Sequence, residues 1–178
     1  ILIRGSAGVG KSTLMRHFFI NTLRTEELIP VFIELRDLNS YNGSLFQYIL
    51  DSINKFSKDL NTTQFEHALS AGFFAFILDG FDELNQEKYI LTLKELELLY
   101  DKYGKNYYIV SSRPNESLES FHQFIILDTI PFSQKQAISM INKIDYDQDI
   151  KKRFLIALSG DLYKRHISFA SNPLLLTI

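Results

Sequence analysis

Gly5-Ser6-Ala7-Gly8-Val9-Gly10-Lys11-Ser12 reads G-x-x-x-x-G-K-S, with Thr13 directly after it. The pattern has a specific physical meaning. Glycines let successive backbone N–H groups turn inward around a phosphate. A helix opening at Lys11 would aim the positive end of its dipole at the same group. Lys11 would add a point charge near the terminal phosphates, and Ser12 an oxygen for magnesium. The bland alternative is a chance glycine turn. It is disfavoured by context: the motif lies between an apolar stretch, Ile1-Leu2-Ile3-Arg4, that reads as a short buried strand, and a stretch from Lys11 to about Leu23 that reads as a helix. In the latter, Leu14 and Phe18, and Met15 and Phe19, recur four residues apart.

Moving outward, Ile29 to Leu35 reads as a second strand, with Pro30 tolerable near its start. Ser44 is placed to cap a helix reaching about Lys58, and a shorter helix is expected over Thr63 to Ser70. Phe73 to Leu78 is a continuous apolar run, as in a strand buried on both faces. Glu87 to Tyr103 has helical spacing through Ile90, Leu93, Leu96 and Leu99, with Gly104 as its stop. Tyr107 to Val110 and Phe124 to Leu127 read as further strands. After Pro131 only helices are expected: Ser133 to Lys143, Asp149 to Ser159, and Asn172 onward. Strands alternating with helices, then helices alone, imply an α/β sandwich of three layers around a mainly parallel sheet over residues 1–130, followed by the start of a helical domain over 131–178. The strand at residue 1 and the apolar run from Pro173 to Ile178 suggest an excerpt of a longer protein.

Composition narrows the chemistry. The chain has 178 residues, of which 46% are hydrophobic and 22% charged, enough for one domain with a real core. A net charge of −2 gives no sign of a general nucleic-acid or membrane-surface binder. The absence of cysteine excludes disulfides, zinc thiolates and thiol catalysis, and agrees with a cytoplasmic location. No apolar run approaches a membrane span. The phenylalanines and tyrosines sit mostly in apolar runs and read as core rather than as base-stacking platforms. His17, His67, His122 and His166 have no metal-ligand spacing, and Lys151-Lys152-Arg153 reads as a solvated helix face.

Three acids carry the second half of the chemistry. The Phe73–Leu78 strand delivers Asp79 at its carboxyl end, where a phosphate-handling site needs an acid for magnesium, directly or through water. Gly80 permits a tight turn, and Asp82 and Glu83 follow. A lone Asp there would be a helix cap; three acids in five residues repel one another and call for a cation. One of them would orient the attacking water, with Asp82 favoured and Glu83 close behind. Arg113, beyond the Tyr107–Val110 strand, falls like Asp79 where ligands bind in open α/β sheets. It would sense or neutralise a γ-phosphate; the bland alternative is a surface arginine before the turn residue Pro114.

Together these segments resemble the NACHT domains of the STAND class of P-loop NTPases. Leu78-Asp79-Gly80-Phe81-Asp82-Glu83-Leu84 looks like their extended Walker B segment. The loop Gly5–Thr13, the strand over Pro30–Leu38, and Val110-Ser111-Ser112-Arg113-Pro114 are similar to theirs, as is Ile130-Pro131-Phe132-Ser133. Asn172-Pro173-Leu174-Leu175-Leu176 resembles a later motif in which the proline, here Pro173, packs against adenine. The resemblance implies an ATP/ADP switch with Mg2+: ADP holds a closed monomer, and ATP exchange permits self-association. It also implies flanking sensor and effector domains, slow hydrolysis, and a place in innate immunity. The leaning is towards bacterial antiphage defence, with a phage or pathogen protein as the trigger. Adenine rather than guanine rests on the resemblance and Pro173; the Asn-Lys-x-Asp base-reading motif of GTPases is absent. Three competing readings are a STAND-type transcription regulator, a small-molecule or nucleotide kinase, and a binding module with decayed ATPase activity. The kinase lacks an obvious arginine-rich lid, and the intact Lys11, Ser12, Asp79, Asp82 and Glu83 speak against decay.

Overall fold

The computed structural model describes residues 1–56, 60–114 and 124–177. Five strands, β1 (Leu2–Arg4), β2 (Ile29–Glu34), β3 (Phe74–Asp79), β4 (Tyr107–Ser112) and β5 (Ile126–Asp128), form one sheet in the order β2-β3-β4-β1-β5. The β2–β3, β3–β4 and β4–β1 pairings are all parallel. Parallel neighbours need crossovers, which the helices α1 (Lys11–Thr25), α2 (Leu45–Asn54), α3 (Thr62–Ala71) and α4 (Gln86–Tyr103) supply. Pro30 sits in the edge strand β2, where a missing N–H is tolerated.

Both faces of this sheet are covered, as expected for parallel strands. Ile3, Met15 and Ile77 pack with Leu14, Phe18, Phe32 and Ile109, so α1 covers one face. The other face is the larger core, where Val31, Ile33, Phe76, Leu78 and Val110 meet Leu45, Ile49, Phe65, Leu69, Leu96 and Leu99 of α2, α3 and α4. Many of the aromatic residues are core, whereas Phe56, Phe73, Tyr107, Tyr146 and Phe169 are exposed. Phe46, Phe65, Phe74, Phe76 and Tyr108 follow one another with ring centroids 5.1, 5.5, 5.4 and 5.3 Å apart. Buried Asn106 ties the layers: its side chain accepts from Phe74 N–H at 3.1 Å and donates to the carbonyls of Leu69 and Tyr103, each at 2.8 Å.

The helix starts are chemically specified. Ser44 and Asn85 accept from the backbone N–H groups of Gln47 and Lys88. Asn61 and Gln64 form a reciprocal capping box. Several boundaries differ from the sequence reading. Leu35 opens a 3-10 helix (Leu35–Ser40) rather than closing β2. α2 ends at Asn54, whose side chain bonds both the N–H and the carbonyl of Leu60; the expectation of helix to Lys58 extends outside the described residues. Gly104 does stop α4, in right-handed helical rather than left-handed geometry.

The chain divides into two compact units. One comprises Ile1–Arg4 and Lys11–Leu127, and the other Gly5–Gly10 with residues from Asp128 onward. The second contains α5 (Gln134–Lys143), α6 (Gln148–Ser159), α7 (Leu162–Arg165) and α8 (Ile167–Ala170), around Ala137, Ile141, Leu158, Ala170 and Leu176. The two four-residue helices α7 and α8 were not expected. Conversely, the helix expected from Asn172 onward is a single 3-10 turn over Leu175–Thr177. The reason is local: the Asn172 side-chain oxygen takes the Leu174 and Leu175 N–H groups, an Asx-type turn that competes with a helical start. No described helix is long and apolar enough to cross a membrane.

Candidate functional site

Parallel register brings Glu34, the last residue of β2, opposite Asp79, the last of β3. Period-two alternation turns Asp79 to the α1 face, the face Ile77 occupies. The next strand contributes Ser111, which shares the face of Ile109. Its hydroxyl donates to Asp79 Oδ1 and accepts from the Gly80 N–H at 2.9 Å. A buried carboxylate is thereby oriented by one hydroxyl that also satisfies the turn's first donor.

Gly80 has φ 80°, left-handed geometry that a side chain rarely adopts. The chain then forms a 3-10 turn, Phe81–Glu83. Phe81 anchors that turn in the core, edge-on to Tyr89 with centroids 4.8 Å apart. With Phe81 pointing inward, Asp82 and Glu83 are left at the surface of the turn. Arg113 engages both oxygens of Asp82: its backbone N–H donates to Oδ1 at 3.0 Å, and its Nε lies 3.0 Å from Oδ2. Such two-point charge-assisted pairing fixes orientation as well as charge.

Glu83 stands elsewhere. Together with Ser12, Arg16, Glu34, Arg36 and Asp79 it lines a small polar cavity of about 60 Å3. Glu34 is held there by Arg36 and, at 3.4 Å, by Arg16. Lys11 belongs to the same constellation. Burial draws its ammonium below the ordinary lysine pKa, and Arg113 adds to that, while Asp82, Asp79 and Glu83 oppose it. Lys11, Ser12, Asp79, Asp82, Glu83 and Arg113 are thus brought together within the first unit. Glu34, Arg16 and Arg36 join them, and sequence reasoning did not single these out as site residues.

In the second unit the glycine loop has its own partners. Gly8 and Gly10 have φ 77° and 94°. The Asn172 side chain donates to the Ala7 carbonyl at 3.1 Å, and the Leu174 N–H to the Gly8 carbonyl at 3.2 Å. The Asn-Pro-Leu segment, with Pro173 at its centre, is therefore seated on the backbone of the loop. A Cβ on Gly8 would meet Asn172 Oδ1 at 2.7 Å, whereas one on Gly10 would enter open space. Ser6 and Ala7 are exposed and Val9 is half-buried.

The donor set suits a hard cation: Ser12 and Asp79 are oxygen donors on one cavity. Among the described residues no three His, Cys, Asp or Glu side chains come together as a cage made by protein alone. Magnesium does not require one, since it keeps several waters and takes one or two protein oxygens beside phosphate. Of the four histidines, His122 lies outside the described residues, and His17 pairs with Asn21 at 2.8 Å.

Solved structures share this fold at low sequence identity. DnaA from Aquifex aeolicus bound to AMPPCP matches with TM-score 0.53 and 14% identity, over 92% of this chain and 54% of that one. The replication initiator DnaA bound to AMPPCP and single-stranded DNA gives 0.53 and 15%, over 93% and 55%. Drosophila ORC bound to DNA gives 0.53 and 13%, over 95% and 49%. The chain spans about half the length of these proteins. No curated protein sequence matches it. The model of the NACHT domain matches residues 1–147, and with its glycine loop, parallel sheet and acidic turn the chain belongs to the NACHT family, a nucleotide-binding P-loop NTPase domain.

Proposed function

We propose that this domain is a slow ATPase that serves as a switch, binding ATP or ADP with Mg2+ and controlling self-association of the protein that carries it. One observation carries the reading: Ser12, Asp79 and Glu83 line one polar cavity, with Lys11 under the influence of the same carboxylates. In this reading the backbone N–H groups of Gly5 to Gly10 receive phosphate oxygens, and Lys11 and Ser12 follow directly in the chain. Ser12 and Asp79, which line one cavity, would hold magnesium, and the ion would supply positive charge beside the phosphates. Glu83 orients the attacking water and accepts its proton.

Sequence alone favoured Asp82 for that last task. The preference moves to Glu83 because both Asp82 oxygens are engaged by Arg113, while Glu83 shares the cavity of Ser12 and Asp79. Asp82 and Arg113 then form a preset pair, from which Arg113 can be drawn by a γ-phosphate. Pro173, on a segment seated on the Ala7 and Gly8 carbonyls, is the proposed contact for adenine. Flanking sensor and effector domains, a phage or pathogen protein as trigger, an antiphage immune role and a cytoplasmic location complete the proposal; they rest on the family resemblance.

The test is made on the full-length protein, purified without added nucleotide. Its bound nucleotide is identified by mass spectrometry, and its size is followed on adding ATP and Mg2+, with and without a lysate of phage-infected cells. Co-purified ADP and growth to an oligomer that Lys11→Ala abolishes are expected. A nucleotide-free protein that turns ATP over rapidly as a constant monomer would overturn the switch.

A further inference from the structure

The 3-10 turn that carries Glu83 is fixed at its start by Gly80 and Ser111 and at its middle by Arg113. Its exit is fixed by a residue far away in sequence. The Asn39 side chain donates from Nδ2 to the Glu83 carbonyl at 2.9 Å and accepts at Oδ1 from the Asn85 N–H, also at 2.9 Å. One carboxamide thus brackets Leu84, which has extended geometry (φ −71°, ψ 140°). It bonds to both flanking residues as a neighbouring strand's peptide would.

Asn39 can do this because its own backbone is anchored. It lies in the 3-10 helix Leu35–Ser40, whose Leu35 and Leu38 are fully buried. On the other side, Leu84 is buried and Asn85 caps α4 through the Lys88 N–H at 2.9 Å. The bracket therefore joins two rigid elements, and the main chain of Glu83 is what lies between them. Asparagine is the fitting residue type: a carboxylate of the same length lacks the donor, and leucine of similar size lacks both donor and acceptor.

We infer that Asn39 is a positioning residue for hydrolysis, holding the Glu83 backbone so that its carboxylate faces the Ser12–Asp79 cavity. The inference rests on Glu83 being the water-orienting group. Asn39 lines no part of that cavity, so its loss should slow the chemical step and leave nucleotide binding nearly unchanged. Misplacing a reacting group by about 1 Å can cost up to about 100-fold in rate. A loss of about 10-fold is expected here, because Gly80 and Phe81 still hold the entry side of the turn.

The experiment is a double-mutant cycle on the full-length protein, read by single-turnover hydrolysis of γ-labelled ATP and by ATP affinity. Asn39→Leu should lower the hydrolysis rate about 10-fold with ATP affinity within about twofold. Glu83→Gln should lower it by about 100-fold or more, as for loss of a general base. In the Glu83→Gln background, Asn39→Leu should then change nothing further. Asn39→Asp, which keeps the acceptor for Asn85 and loses the donor for Glu83, should be slow as well; it serves if the leucine variant does not fold. If Asn39→Leu slows the Glu83→Gln protein by the same factor as the parent, or if both Asn39 variants hydrolyse ATP normally, the positioning role is overturned while Glu83 keeps its own. A normal rate in Glu83→Gln alone would instead overturn the assignment of Glu83.

Discussion

Ser111 and Ser112 are neighbours in β4, both fully buried, and the same substitution at each should act with opposite sign. Ser111 donates to the Asp79 carboxylate and accepts from Gly80 N–H. Ser111→Ala removes a hydrogen bond to a charged group, worth about 1.5–3 kcal/mol, and strands a buried N–H at a further ~1–3 kcal/mol. Partial relaxation makes these less than additive, so a loss of about 3 kcal/mol is expected. Ser112 faces the opposite side of the sheet, and its hydroxyl has no hydrogen-bond partner among the described residues. Burying an unsatisfied hydroxyl costs about 1–3 kcal/mol by mutational measures. Ser112→Ala removes that cost at the expense of slight packing, and should lie between neutral and about 1 kcal/mol stabilising. For a chain of this size, 1 kcal/mol moves Tm by roughly 2–4 °C. Ser111→Ala should therefore melt roughly 6–12 °C lower and Ser112→Ala at or a few degrees above the parent. Guanidinium titrations followed by circular dichroism at unchanged m-value would measure the same difference at 25 °C. Ser111→Ala should also raise the Mg2+ concentration for half-maximal hydrolysis. Equal losses at the two positions, or a Ser111→Ala protein as stable as the parent, would refute the assignment of Ser111 as the orienting partner of Asp79.

Two other outcomes follow from local geometry. Gly8→Ala should weaken nucleotide binding, measured by titration with a fluorescent ATP analogue. Left-handed backbone costs a residue with a Cβ about 1–2 kcal/mol, and the new Cβ would stand 2.7 Å from Asn172 Oδ1. Affinity unchanged within twofold would show that the loop tolerates both. The hydrogen bond from Tyr41 to Asp51 holds the Asp51 carboxyl below its ordinary value of 3.8 and pushes the Tyr41 phenol up to about 12 from 10.0. A depressed carboxyl contributes stability above its ordinary value and loses it as pH falls through the lowered one; a raised phenol contributes below 10.0 and loses it as pH rises towards 12. The stability difference between the parent and Tyr41→Phe should thus be present at neutral pH and shrink below about pH 3.8 and above about pH 10. A difference independent of pH in denaturant titrations would contradict it.

Much of the architecture is legible in local sequence. The loop motif, the apolar run Phe73–Leu78 and its acidic exit specify a strand, a turn and a carboxylate with no knowledge of distant residues. The same is true of the capping residue Ser44. Glu34, Ser111 and Asn39 are different. Glu34 joins the site only because parallel register sets it opposite Asp79 across a crossover, and periodicity within β2 does not reveal that partner. The Ser111-Ser112-Arg113 segment stands out at the end of its apolar strand, but which serine faces Asp79 depends on the face that Ile109 takes against α1. Asn39 acts through main-chain atoms of residues 44 and 46 positions away. The helices α7 and α8 are too short to carry a period. The order of Asp82 and Glu83 could not be read from sequence, because the pairing of Arg113 with one of them is tertiary.

The central claim is that Lys11, Ser12, Asp79 and Glu83 serve one nucleotide. It is tested most directly by measuring Mg2+-dependent ATP binding and single-turnover hydrolysis for the parent, Lys11→Ala and Glu83→Gln proteins side by side. The account predicts that Lys11→Ala loses binding, and that Glu83→Gln binds ATP as the parent does but hydrolyses it at least about 100-fold more slowly, as expected for loss of a group that handles the proton. Parent-like hydrolysis in Glu83→Gln, or parent-like binding in Lys11→Ala, would contradict it.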